Sequence, residues 1–185
     1  MSIFPHLPRR NLSKCRAEGS HLGTFTLIHV VISLAGIASG LVVLFGLFNA
    51  RRLNAWTSLF LTTTVLTSVT GFLFPVDRLL PSHVVGAISL VVLAAAIVAR
   101  YPKRLAGWWR TVYVVGAVVS LYLNVFVLIV QLFQRVPPLE ALAPTQTEPP
   151  FVVTQLLALT IFAAAGLLAV VRFREEAADR AAINV

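Results

Sequence analysis

A chain of 185 residues that is 58% hydrophobic and 12% charged, with mean hydropathy +0.87, carries about half the charge of an ordinary soluble domain. So many apolar residues cannot hide inside one aqueous core, and the bilayer is the expected solvent. The formal charge of +8 sits between apolar runs rather than along one face, which argues against a nucleic-acid partner; the single cysteine, Cys15, excludes an intrachain disulfide, a CxxC redox pair and a cysteine metal cluster.

Residues 1–22 read as a polar, basic N-terminal tail. The apolar run behind it is far longer than the core of a signal peptide, so a retained first span is expected. Asn11 in Asn-Leu-Ser and the residues before Cys15 are read as chance matches to modification signals. Crossing about 30 Å of hydrocarbon takes about 17 to 25 uncharged, mostly apolar residues. Five segments qualify over residues 23–173: Thr24 to Ala50, Trp56 to Phe74, Ser82 to Ala99, Thr111 to Phe133, and Phe151 to Val171. None carries Asp, Glu, Lys or Arg inside, where each costs about 2.5 to 3.5 kcal/mol on insertion scales. The expected fold is therefore all-α: an integral membrane bundle of five transmembrane helices.

The connections carry the breakers. Pro75 and Pro81 bracket VDRLL, Pro102 follows Arg100, and QRVPPLEALAPTQTEPP is the one long loop, its LEAL core read as a single interfacial turn. Residues 174–185 are expected to continue the fifth helix into water as a short charged tail, with Arg172/Glu176 and Glu176/Arg180 at i,i+4 spacing. Positive residues mark the cytoplasmic side. Arg51 and Arg52, then Arg100, Lys103, Arg104 and Arg110, then Arg172, Arg174 and Arg180 fall on one side of five spans. This predicts the N-terminus outside and the C-terminus inside, although Arg9, Arg10, Lys14 and Arg16 of the tail point the other way. Trp56, Trp108 and Trp109 then form an inner aromatic belt.

With that orientation the polar residues of the spans gather in the outer half of the bilayer. His29 lies in span one, His83 opens span three, Gln155 is one turn into span five, and Asn124 and Gln131 lie in the outer part of span four. Faces agree with depth: His29, Ser33, Gly36 and Gly40 share a side, as do Gly116, Ser120, Asn124 and Gln131, and so do Thr64, Ser68 and Gly71. Small and hydroxyl residues in such stripes ordinarily pack helices and bond across them, so Ser33, Gly36, Gly40, Ser68, Gly71, Gly116 and Ser120 are read as packing positions. His29, His83, Asn124, Gln131 and Gln155 are the candidate ligand contacts, each with a structural reading beside it. The amides serve equally as interhelical glue, and His83 equally rests at the interface after Ser82 as helix cap. An imidazole inside a span is by default a functional hypothesis.

Two histidines at similar depth suggest three roles: axial ligation of a b-type haem by His29 and His83, binding of a quinone or small lipid through His29 and the amides, or proton relay, which normally uses intramembrane carboxylates. Enzyme templates are missing: there is no HExxH, GxSxG, P-loop or dinucleotide fingerprint. The acids Asp77, Glu140 and Glu148 fall in the expected outer loops. The leading expectation is a non-enzymatic membrane component with no dedicated cofactor, whose polar cluster takes a small ligand, a partner helix or a second copy of the chain; a small transporter is the third class.

The runs HVVISLAGIASGLVVLFGL, TSVTGFLFPVDRLLPSHVVG, LNVFVLIVQLFQ and PTQTEPPF resemble a family of small bacterial multi-pass membrane proteins with no assigned activity, over residues 24–172. The resemblance implies the bacterial inner membrane and transfers no catalytic residue. More distantly, one histidine early in a span and another opening a later one look like small b-type cytochrome membrane proteins, which usually carry further histidines in their helices.

Overall fold

The computed structural model describes residues 12–73 and 81–183, with side chains over residues 23–73 and 83–173. The helices in chain order are α1 (Leu12–Phe48), α2 (Asn54–Gly71), α3 (Pro81–Arg100), α4 (Trp109–Arg135), the short α5 (Pro137–Leu142) and α6 (Pro149–Ile183). No strand occurs among the described residues. Hydrocarbon offers no hydrogen bonds to a backbone, so each long apolar run closes its amides internally as a helix.

The ends follow local chemistry. At the end of α1 the Arg51 N–H donates to the Gly46 carbonyl at 2.8 Å and the Ala50 N–H to Leu47 at 3.2 Å, the paired bonds of a Schellman turn. Ala50 holds φ 52 to make it, a conformation that favours glycine. After α3, Leu105 returns its N–H to Ala99 at 3.0 Å and tucks its side chain into the core, where it is buried. Pro149 and Pro150 open α6 in the first turn, where a missing N–H leaves nothing unsatisfied. The first helix reaches back into the basic tail as far as Leu12, and α6 continues to Ile183. The i,i+4 pairs expected there lie outside the described side chains, as do Cys15 and Asp77.

Four helical stretches are long and apolar enough to cross a membrane: Gly23–Phe48, His83–Arg100, Trp109–Arg135 and Pro149–Phe173. These four suit a helical membrane protein, and α2 is not among them on composition. The helix α2 has 18 residues, a rise of about 27 Å, but eight of them are Ser or Thr. Length is sufficient; apolarity is not.

Helix α4 is the hub, packing against α1, α3, α5 and α6, while α2 lies against α1 and α3. The core runs through Phe60, Leu93, Ala96, Tyr113, Leu121 and Phe173. Large apolar side chains also cover the outside: Phe45 is 68% exposed, Val91 72% and Leu167 72%. Water makes such a surface an association hazard, whereas lipid does not. The bundle has two distinct ends. Residues 49–53 and 101–108 and the Phe173 region of α6 share the arginine-bearing end; His29, Thr70, Phe72 and His83 mark the opposite, histidine-bearing end.

Gly116 and Gly40 lie where helices of the bundle approach closely. A Cβ at Gly116 would stand 2.9 Å from the Ala96 Cβ, which is rigidly attached to the α3 backbone and cannot swing aside. At Gly40 it would stand 2.6 Å from Leu121 Cδ1 and 2.8 Å from Phe60 Cε2. Gly116→Ala is therefore expected to push α3 from α4 and cost about 1 to 3 kcal/mol. Gly23→Ala, whose Cβ meets nothing within 4 Å, should leave the unfolding midpoint in detergent unchanged or raise it. Equal midpoints for wild type and Gly116→Ala would contradict this packing.

Candidate functional site

The polar residues of α2 meet polar residues on three other helices. His29 Nδ1 of α1 lies 2.8 Å from Thr70 Oγ1. The Thr70 hydroxyl is within 2.6 Å of the Leu66 carbonyl and 3.2 Å of Thr67, so its single proton goes back to its own helix. The imidazole must then donate from Nδ1, which leaves Nε2 as the lone-pair nitrogen. Gly71 brings its backbone to the same ring, with a would-be Cβ 3.9 Å from His29 Cε1.

One layer deeper, the Asn124 amide of α4 donates to Thr64 Oγ1 at 3.1 Å. Gly36 of α1 makes room for this pair: a Cβ there would lie 3.3 Å from Thr63 Oγ1, 3.4 Å from Thr64 Oγ1 and 3.6 Å from Asn124 Nδ2. One turn further along α2, Ser68 donates to Ser89 of α3 at 3.2 Å, and both are buried. On α6, the Gln155 side-chain amide donates to the Phe126 carbonyl of α4 at 3.3 Å. Each bond replaces the water that lipid cannot supply.

Of the candidate ligand contacts, Asn124 joins α4 to α2, and Gln155 joins α6 to α4. The two histidines come to the same turn of α2 through separate partners: His29 on Thr70, and His83 against the Phe72 ring with centroids 5.5 Å apart. Gln131 stands away from the layer, accepting at 2.9 Å from the Arg135 side chain of its own helix in an exposed pair. Ser33 likewise turns inward on α1, donating to the His29 carbonyl at 2.7 Å. Ser120 is fully buried, and its hydroxyl has no hydrogen-bond partner among the described residues. The other buried atom of interest is Gln155 Oε1, an acceptor without a partner there on a residue only 9% exposed.

Sequence reasoning missed a second cluster, at the arginine-bearing end. Arg100 Nη2 donates to Asn54 Oδ1 at 2.7 Å, and its guanidinium lies 5.1 Å from the centroid of the buried Tyr113 ring. The Tyr113 hydroxyl in turn lies 3.3 Å from Thr57 Oγ1. The available signal was a tyrosine four residues past the start of α4 and a threonine three residues past the start of α2; reading the arginines only as topology markers hid it.

Beyond the histidine-bearing end, Glu148 closes the loop into α6. Its carboxylate accepts from the Thr145 N–H at 3.1 Å, the Thr145 hydroxyl at 2.9 Å and the Thr147 N–H at 3.0 Å. Desolvation acts to raise its pKa, but these bonds and its own backbone N–H outweigh that and hold the carboxyl below the ordinary glutamate value. Comparison with protein families, with curated proteins and with solved structures finds no match to this chain.

Two outcomes are expected. In a double-mutant cycle with Thr64→Val and Asn124→Leu, the pair should show a coupling of about 0.5 to 1.5 kcal/mol in detergent unfolding; strict additivity would mean the bond does not form. Because the Glu148 pKa is lowered on folding, the loop's stabilisation is complete above the unfolded glutamate pKa and is lost as pH falls through the folded one. Side-chain carboxyl NMR should place its midpoint below the ordinary glutamate value and should move it upward in Thr145→Ala.

Proposed function

We propose that this chain is a non-enzymatic component of the bacterial inner membrane that crosses the bilayer five times, N-terminus outside and C-terminus inside, and holds a small polar ligand or a partner helix through Gln155. The fifth crossing is α2. Thr57, Thr64, Ser68 and Thr70 bond to side chains of α4, α4, α3 and α1, and Thr63 bonds back to the Leu59 carbonyl at 2.7 Å, so five of its eight hydroxyls are paired away from lipid. The orientation is supported by the convergence of the positively charged connections at one end of the bundle.

The observation that carries the ligand reading is the Gln155 Oε1 atom. A buried acceptor left unmatched costs about 1 to 3 kcal/mol, and a donor from a bound molecule or a neighbouring helix recovers it. His29, Asn124 and Ser68 have their hydrogen bonds within the bundle, so they shape the layer and Gln155 supplies the contact.

The test compares unfolding of wild type and Gln155→Leu in nanodiscs drawn directly from native membranes and in nanodiscs of synthetic lipid. Wild type should be more stable in the native discs, and the variant should show no such difference. A Gln155→Leu protein more stable than wild type in both would reduce Gln155 to an unpaired amide with no ligand. For the topology, a C-terminal green fluorescent fusion should glow and a C-terminal alkaline phosphatase fusion should be inactive; the reverse pattern would overturn the orientation.

A further inference from the structure

From the seam between α4 and α6 we infer that the bundle binds a membrane quinol, an aromatic ring carrying hydroxyl groups and brought from lipid by an apolar tail. The inference rests on the proposed contact at Gln155 and names the class of ligand that contact takes. It uses neither the number of crossings nor the orientation.

Four side chains define the seam. The Gln155 amide of α6 donates to the Phe126 carbonyl of α4 at 3.3 Å. One turn along α4, the Tyr122 ring stands 6.1 Å from the Phe126 ring and 5.9 Å from the Phe162 ring of α6, tilted against both. Gln155 and Phe162 are seven residues apart on one face of α6, and Tyr122 and Phe126 are four apart on one face of α4, so amide and rings follow one line. Its border faces lipid: Val115 and Leu159, on the same helical faces, are each 45% exposed. Tyr122 lies at the middle of the 27-residue α4, whereas tyrosine in a span ordinarily sits at the interface, where its hydroxyl is wet.

Two complementary polar atoms stand along this line. Gln155 Oε1 is a buried acceptor and the half-buried Tyr122 hydroxyl is a donor, and neither has a hydrogen-bond partner among the described residues. Lipid supplies a partner to neither. A ligand hydroxyl answers the first, a ligand oxygen the second, and a flat ring the aromatic side chains beside them. A quinol carries all three on one lipid-soluble molecule; a phospholipid has no ring, and a quinone, which only accepts, leaves Oε1 unmatched. The terminal torsion of glutamine is soft and the bond to Phe126 is long, so the amide turns its oxygen to a donor without moving either helix.

The test titrates wild type, Gln155→Leu and Tyr122→Phe, in synthetic-lipid nanodiscs under argon, with a decyl-tailed benzoquinol, the matching quinone and the dimethyl ether of the quinol, and follows the unfolding midpoint. Wild type should bind the quinol about tenfold more tightly than the quinone or the ether. Gln155→Leu should erase the preference for quinol over quinone. Tyr122→Phe, which removes only an unpaired hydroxyl and so keeps the fold, should weaken quinol and quinone alike. Equal binding of all three compounds by wild type would overturn the inference, because the ring would then only partition into an apolar seam. So would a quinol preference that survives Gln155→Leu, or a coupling between Tyr122 and Gln155 in a double-mutant cycle without ligand, which would pair the two atoms with each other. Wild type stabilised through Gln155 in native discs but indifferent to quinol would sink the quinol and leave the Gln155 contact standing; indifference to both would remove the contact as well.

Discussion

Hydrocarbon cannot accept or donate a hydrogen bond, and that one constraint organises this bundle. Backbone groups meet it by forming helices; side chains have to meet it across helices or back onto their own turn. The second helix shows the consequence most clearly. With eight hydroxyl residues in 18, it is the least suited of the long helices to lipid by composition, yet Thr64, Ser68 and Thr70 reach Asn124, Ser89 and His29 on three different neighbours. The polarity that keeps α2 from reading as a span on composition is what fastens it to α1, α3 and α4. If α2 is the proposed fifth crossing, loss of those partners would leave a polar helix in an apolar solvent.

Glycine and arginine then divide the remaining work by depth. Gly36, Gly40 and Gly116 remove side chains where α1, α2, α3 and α4 approach, so that hydroxyls and amides come within bonding distance. At the arginine-bearing end the charges leave hydrocarbon, and the aromatic rings of Tyr113, Trp109 and Phe173 receive Arg100, Lys103 and Arg110 at 5.1, 5.3 and 5.8 Å. Such contacts help hold cations at the interface.

Much of the layout was legible in the residues themselves because charge exclusion from lipid is a strong, local signal: the long apolar runs, the breaks at Pro and Arg, and the stripe of His29, Gly36 and Gly40 all follow from it. The second helix sat at the limit of that signal, since a hydroxyl-rich helix is apolar only once its partners are counted, and partners are not written in one segment. Asn124 and Gln131 lie seven residues apart on one helical face, but α4 runs past α2 at Asn124 and has left the layer at Gln131, which bonds Arg135 instead. Periodicity gives the face of a helix and not where its neighbour ends. The Arg100, Tyr113 and Thr57 cluster was hidden for a related reason: it joins three segments whose depths coincide only after the turns at Ala50 and Leu105 are known.

The central claim is that α2 lies inside the bilayer with its hydroxyl face sealed by protein. Spin labels placed singly along Asn54–Gly71 in lipid vesicles read this most directly, through collision with oxygen, which concentrates in lipid, and with a water-soluble nickel chelate. The account predicts oxygen accessibility with a period near 3.6 residues, high at Leu59, Leu66 and Val69 and low at Thr57, Thr64 and Ser68, with the chelate excluded from the whole middle of the helix. A helix touched by the chelate along its length, with no lipid-facing side, would contradict it.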